Sequence, residues 1–253
     1  MKSSLTDSQV KNALKTLQSK NLEQKISLIH QLGKLDTQKA IPVFLAALKD
    51  KNGTIRALAM GKLVFINNKR IIPEIRKYLT DPNPQVRQHA IYALQRLKDK
   101  TISNKLASLL TKDKDPVVRL NAVTALEQLG SRKELPALVK ALNDKSFHVV
   151  VGAVKAIARI APSEVAKHII KLVNDKKRWS RIPDNQRDVI LKFLQKDLKN
   201  KEVLKTLRRL IEDNLSQIDK RVPLEVAEAA SLLAMAGDTA SAVSYTHLTL
   251  PTN

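Results

Sequence analysis

The 253-residue chain contains no cysteine, which excludes a disulfide framework, a thiol nucleophile and any cysteine-based metal site. Aromatic residues are also scarce, at 3% of the chain against 43% hydrophobic, so a core must be assembled from Leu, Ile, Val and Ala. Six glycines and ten prolines are too few for a β-rich chain with many tight turns, and the abundance of Ala, Leu and Lys favours helix. Nowhere do about 18 uncharged apolar residues run together, and the opening "MKSSLTDSQVKNALKTLQ" lacks the apolar stretch of a signal peptide. The reading is therefore a cytoplasmic protein with no membrane span. Metal- and phosphate-site spacings such as H-x-x-x-H and G-x-x-x-x-G-K-[ST] are absent, as is the G-x-S-x-G nucleophile elbow.

Acidic residues are in deficit, 24 against 45 Lys and Arg, for a formal charge of +21. The excess is spread: 19 basic side chains face 7 acidic ones over residues 1–100, and 16 face 8 over 167–221. Residues 222–253 carry no Lys or Arg and three acids. Anionic partners, nucleic acid or acidic protein surfaces, are compatible with this balance, and a merely solvated basic surface is equally so.

What the chain does have is a period. The segments "NGTIRALAMGKLVFI" from Asn52, "NPQVRQHAIYALQRL" from Asn83, "DPVVRLNAVTALEQL" from Asp115 and "SFHVVVGAVKAIARI" from Ser146 start 31, 32 and 31 residues apart. "NLEQKISLIHQLGKL" from Asn21 precedes them in the same apolar phase. Each start is an Asn, Asp or Ser able to accept from a free amide of the first helical turn, so each is expected to be an N-cap. Pro84 and Pro116 follow two of these caps at the first helical position, where a missing N–H costs nothing. Asp50, Asp81, Asp113, Asp144 and Asp175 recur just ahead of the cap register. A second apolar stripe precedes each acid, so two helices alternate in every period. The extra residue of the 32-residue spacing is expected in the turn between Leu110 and Asp113.

These residues resemble the short HEAT-like repeats of the phycobilisome-lyase type, whose pattern is a Pro-containing helix, "L-x-D", a capped turn and "V-R-x-x-A-x-x-A-L". The resemblance spans about residues 5–237 and implies an all-α fold, an α-α superhelix (α-solenoid) of about seven antiparallel helix pairs. By matching position it also implies that Asp81 and Asp113 bond between neighbouring repeats with Arg56, Arg87 and Arg119, as a ladder that Val150 interrupts. The related deoxyhypusine hydroxylase branch binds metal through paired His-Glu dipeptides. Here His30, His89, His148 and His168 are followed by Gln, Ala, Val and Ile, so no metal and no cofactor are expected.

Counting along the second helix from Ile55, Val86, Val118 and Val149 at roughly 100° per residue, offsets 0, 4, 5, 7, 8 and 11 form the core arc. The opposite arc, offsets 3, 6 and 10, should line the concave surface of the superhelix. It reads Leu58, Gly61 and Phe65; His89, Tyr92 and Arg96; Asn121, Thr124 and Gln128; Gly152, Lys155 and Arg159. The second helices of the central repeats thus nominate His89, Tyr92, Arg96, Asn121, Thr124, Gln128, Lys155 and Arg159 as the partner-binding set.

The repeat is regular over residues 1–175 and continues irregularly and more basically over 176–242. Helix is expected to resume near Asp184 after a basic loop holding Lys176, Lys177, Arg178, Trp179 and Arg181, in which Trp179 either contacts a ligand or covers the core. The terminal run "VSYTHLTLPTN", residues 243–253, breaks the period and resembles the translation of a sequencing-library adapter. It is read as non-native, so that the native chain is expected to continue past Ala242 and Tyr245 and His247 are set aside. The functional expectation is a non-catalytic scaffold binding a protein partner on its concave face. The alternatives are a solenoid binding nucleic acid through phosphate contacts and, more remotely, a bilin lyase-like accessory protein.

Overall fold

In the computed structural model the described residues are 5–34, 38–66, 68–214 and 223–238. The suspected foreign tail, residues 243–253, lies outside them. Fifteen α-helices and no strands occur among the described residues, in two compact units divided between Gly130 and Ser131. The loss of regularity expected after Asp175 falls inside the second unit.

The first unit is four helix pairs: α1 (Asp7–Thr16) with α2 (Leu22–Leu32), α3 (Ile41–Ala47) with α4 (Gly53–Leu63), α5 (Ile72–Arg76) with α6 (Pro84–Arg96), and α7 (Ser103–Lys112) with α8 (Pro116–Leu129). The second helices stack in series, α2 on α4, α4 on α6 and α6 on α8. Their common capping explains why they start where they do. Asn21, Asn52, Asn83 and Asp115 each hold extended backbone and accept from an amide two or three residues on. Pro84 and Pro116 occupy the first helical position as expected.

The core arc of α6 is buried at every offset: Val86, Ala90, Ile91, Ala93, Leu94 and Leu97. Ala59, Ala90 and Ala122 are fully buried, small enough to let consecutive second helices of the first unit approach closely, and Ala153 at the same offset of α10 in the second unit is also fully buried. The extra residue near Leu110 does not lengthen a turn. It is taken up by α7, which stays α-helical to Lys112, whereas the preceding repeat finishes its first helix as a 3-10 turn, Lys77–Thr80. The 3-10 form rises about 2.0 Å per residue against about 1.5 Å, so one residue fewer covers a similar length.

The second unit keeps the alternation. The helices are α9 (Leu135–Ala141), α10 (Phe147–Ile160), α11 (Val165–Asn174), the single turn α12 (Lys176–Trp179), α13 (Asp184–Leu191), α14 (Lys201–Asn214) and α15 (Leu224–Met235). First helix packs on first helix, α11 on α14, and second on second, α13 on α15. The irregularity is thus an inserted helical turn, α12, within an unbroken pairing. One expected cap fails: Ser146 makes no side-chain capping bond to α10, although its own amide donates to Asp144 Oδ1 at 2.8 Å.

Candidate functional site

Between repeats of the first unit runs a ladder of charged hydrogen bonds. Arg56 donates Nε and Nη2 to the two carboxylate oxygens of Asp81 at 2.8 Å each, and Nη1 to the carbonyls of Asp50 and Lys51. Arg87 repeats the pattern with Asp113, at 2.8 and 2.6 Å, and with the carbonyls of Asp81 and Pro82. Arg119 donates Nη1 to the carbonyls of Asp113 and Lys114. Each acid also accepts from the amide of the helix cap two residues on: Asn52 to Asp50 at 2.8 Å, Asn83 to Asp81 at 2.8 Å and Asp115 to Asp113 at 3.0 Å.

Two members were missed in the sequence. Lys25 stands one period before Arg56 and bonds Asp50 at 2.6 Å, continuing the series with an ammonium. Arg76 on α5 clasps Asp99 through both nitrogens at 2.7 and 2.8 Å, with Thr101 donating its hydroxyl to the same carboxylate. Burial disfavours charge at Asp50 and Asp99, yet the hydrogen bonds and charge of Lys25 on the first and of Arg76 on the second outweigh it, and both carboxyls are held below the ordinary range. In the second unit Val150 is buried at the arginine position, and Asp175 pairs with Arg178 of its own turn at 3.0 Å. These side chains are committed to one another, which makes them a clamp between repeats and not a contact surface.

The opposite arc is where the first unit offers side chains to solvent. Phe65 is 71% exposed and Tyr92 is 42% exposed, large apolar side chains that nothing in the core requires. Exposed Arg96 lies between them, its guanidinium carbon 5.9 Å from each ring centroid, so one cation is shared by two aromatic faces. His89 of the same set is half-buried, and its Nδ1 donates to the carbonyl of Ala57 at 3.0 Å, which ties α6 to α4. On α8, Asn121 is half-buried, Thr124 is exposed but returns its hydroxyl proton to Leu120 O, and Gln128 is exposed. On α10 of the second unit Lys155 and Arg159 are exposed.

The basic segment after Asp175 is not a loop. Asp175 accepts from the amide of Arg178 at 3.1 Å and caps α12, so Lys176, Lys177 and Arg178 project from a helical turn. Trp179 points inward and is 5% exposed, which removes it from any surface group. Its Nε1 donates to Glu225 Oε2 at 2.5 Å, and Arg187 donates Nη1 to Glu225 Oε1 at 2.5 Å. Arg187 also lies over the Trp179 ring, 5.9 Å from its centroid, and holds the carbonyl of Ile182. Glu225 is 2% exposed, and its burial pushes the carboxyl above the ordinary range against the opposing pull of Arg187 and Trp179. Among the exposed cations Lys176 meets Asp213 at 3.0 Å and Arg181 donates to Lys145 O at 2.8 Å.

No helix among the described residues is long and apolar enough to cross a membrane. The repeat geometry defines the class, and the HEAT-repeat family pattern matches residues 43–104 and 103–182, more than half of the chain. The chain belongs to the HEAT-repeat family. Among solved structures it is similar to the complex of CpcE and CpcF of phycocyanin lyase from Nostoc sp. PCC7120, at 21% identity and a TM-score of 0.52, covering 93% of this chain and 95% of that one. Human deoxyhypusine hydroxylase in complex with glycerol is similar at 14% identity and a TM-score of 0.39, covering 91% and 96%. An engineered protein is similar at 17% identity and 0.45, covering 92% and 98%. No curated protein sequence matches the chain.

Proposed function

We propose that this protein is a non-catalytic scaffold that binds a protein partner through the exposed face of its second helices, anchored on Phe65, Tyr92 and Arg96. The supporting observation is the exposed aromatic pair bridged by one arginine. Tyr and Arg are the residue types most often found at the energetic centre of protein interfaces, and both rings present apolar surface to solvent beside one cation. The strongly positive chain favours an acidic partner segment presenting apolar side chains to the rings and carboxylates to Arg96.

The test is affinity capture and quantitative binding with the native chain and the double variant Tyr92→Ala, Arg96→Ala. Loss of about 2 kcal/mol or more of partner affinity with an unchanged melting curve is expected. Retained binding would place the partner elsewhere. A salt titration against random duplex DNA separates the phosphate-binding alternative, since a steep multi-phosphate slope at physiological salt would favour it over the protein partner.

A further inference from the structure

Phe65, Arg96 and Tyr92 form an ordered triad, with the guanidinium 5.9 Å from each ring centroid and apolar surface on both sides of a single cation. That cation is uncommitted. Arg96 forms no ion pair among the described residues, whereas Arg56 and Arg87 of the same two helices are held by the ladder. Neither α4 nor α6 contains an acidic residue, and the carboxylate nearest to Arg96 along the chain, Asp99, is clasped by Arg76. The neighbouring α8 has one acid, the half-buried Glu127, and exposed Lys98 and Lys100 follow Arg96 in the turn after α6. The triad thus has no counter-charge on its own helices, and complementarity calls for a carboxylate supplied from outside, between two apolar groups.

The same face has little to offer a partner's backbone. His89 Nδ1 is tied to Ala57 O, the Thr124 hydroxyl to Leu120 O, and Leu58 and Gly61 have no polar side chain. An extended segment would lay unpaired amides and carbonyls against this surface, and the unit has no strand among its described residues to receive it edge to edge. A helix pairs its own backbone. Its side chains three or four residues apart stand about 5–6 Å from one another on one face, which matches the step from each ring to the guanidinium.

Resting on the scaffold reading above, we infer that the partner is an acidic amphipathic helix that meets this face with an apolar side chain, a carboxylate three or four residues on, and a second apolar side chain three or four residues beyond that. The apolar pair covers Phe65 and Tyr92 while the carboxylate closes on Arg96. Rings and helix together exclude water from that ion pair, which is where a charged hydrogen bond contributes most. Specificity then lies in the order, since the same three side chains in another sequence would set the carboxylate on a ring and an apolar group on the cation.

The experiment is selection of a random peptide library on the full chain, with peptides of about 20 residues so that helical and extended binders compete. Enriched peptides are then measured by fluorescence anisotropy against the native chain and against Tyr92→Ala with Arg96→Ala. Those that lose at least tenfold affinity for the double variant are expected to share the apolar, acid, apolar order at helical spacing. Replacing the peptide's acid with lysine should weaken binding at least tenfold, and Arg96→Glu should restore the lysine peptide to within about threefold of the original pair. A proline inserted between the two apolar positions should weaken binding at least tenfold. Peptides that depend on Tyr92 and Arg96 but carry another order, or tolerate the proline, would overturn the helical assignment and leave the scaffold face standing. If no enriched peptide depends on Tyr92 and Arg96, both fail. Displacement of the bound peptide by oligothymidylate at a lower concentration than by unlabelled peptide would assign the face to single-stranded nucleic acid instead.

Discussion

Arg87 reaches out of its own repeat and closes the Nε–Nη2 edge of its guanidinium on both carboxylate oxygens of Asp113, 26 residues further on, while its remaining nitrogen holds the turn it came from. One side chain therefore fixes the end of one helix pair and the start of the next. Both partners are largely buried, so removing either leaves an uncompensated charge in place. Asp113→Ala should lower unfolding stability by about 2–4 kcal/mol, and Arg87→Lys, which keeps the charge but not the fork, by about 1 kcal/mol. Urea denaturation with an unchanged slope would register both, and a neutral Asp113→Ala would show the clamp to be ornamental.

Trp179 should behave as a core residue. Trp179→Phe keeps most of the packing but leaves Glu225 without its indole donor, for an expected loss of about 1–3 kcal/mol. Trp179→Ala should cost about 3–5 kcal/mol. Because it is the only tryptophan, its emission reports unfolding of the second unit directly, and a native spectrum already typical of exposed indole would contradict this placement.

Two carboxyl sets give stability opposite slopes with pH. Asp50 and Asp99 have lowered native pKa values, so their contribution is present above the ordinary aspartate range and is lost as pH falls through the lowered values. Glu225 has a raised native pKa, so the folded state holds its proton more tightly than the unfolded chain. Stability is then lost as pH rises from the ordinary glutamate range through the raised value. Glu225→Gln removes that slope, and the variant should gain on the native protein as pH rises above the ordinary glutamate range when both are unfolded in urea. A difference that stays constant as pH rises above the ordinary glutamate range would refute the assignment.

Lys98 ends α6 with φ of 57°, in the left-handed region, while the amide of Asp99 closes the helix by donating to Leu94 O at 3.0 Å. Such a position disfavours any side chain. Lys98→Gly should therefore stabilise the first unit by about 0.5–1 kcal/mol, read as a raised melting temperature.

Much of the architecture was legible because it is local. Asn21, Asn52, Asn83 and Asp115 bond amides two or three residues away, and the apolar phase of α6 needs only its own sequence. What escaped depends on partners distant along the chain. Arg76 and Asp99 are 23 residues apart and follow no repeated spacing, and Trp179 finds Glu225 across 46 residues. The basic segment looked like a loop because its charges were counted, whereas the Asp175 cap and one inward indole make it a helical turn. The exposed arc was placed by periodicity, but the half-burial of His89 was not, since it arises from the carbonyl of Ala57 on the preceding second helix.

The ladder of the first unit has a direction: every rung gives a cation forward and receives it on an acid, Lys25 to Asp50, Arg56 to Asp81, Arg87 to Asp113. A single period therefore carries one plug and one socket of matching kind. Duplicating or excising one whole 31-residue module in frame leaves every junction complementary, so the length of such a chain can change by genetic recombination without any joint having to be redesigned.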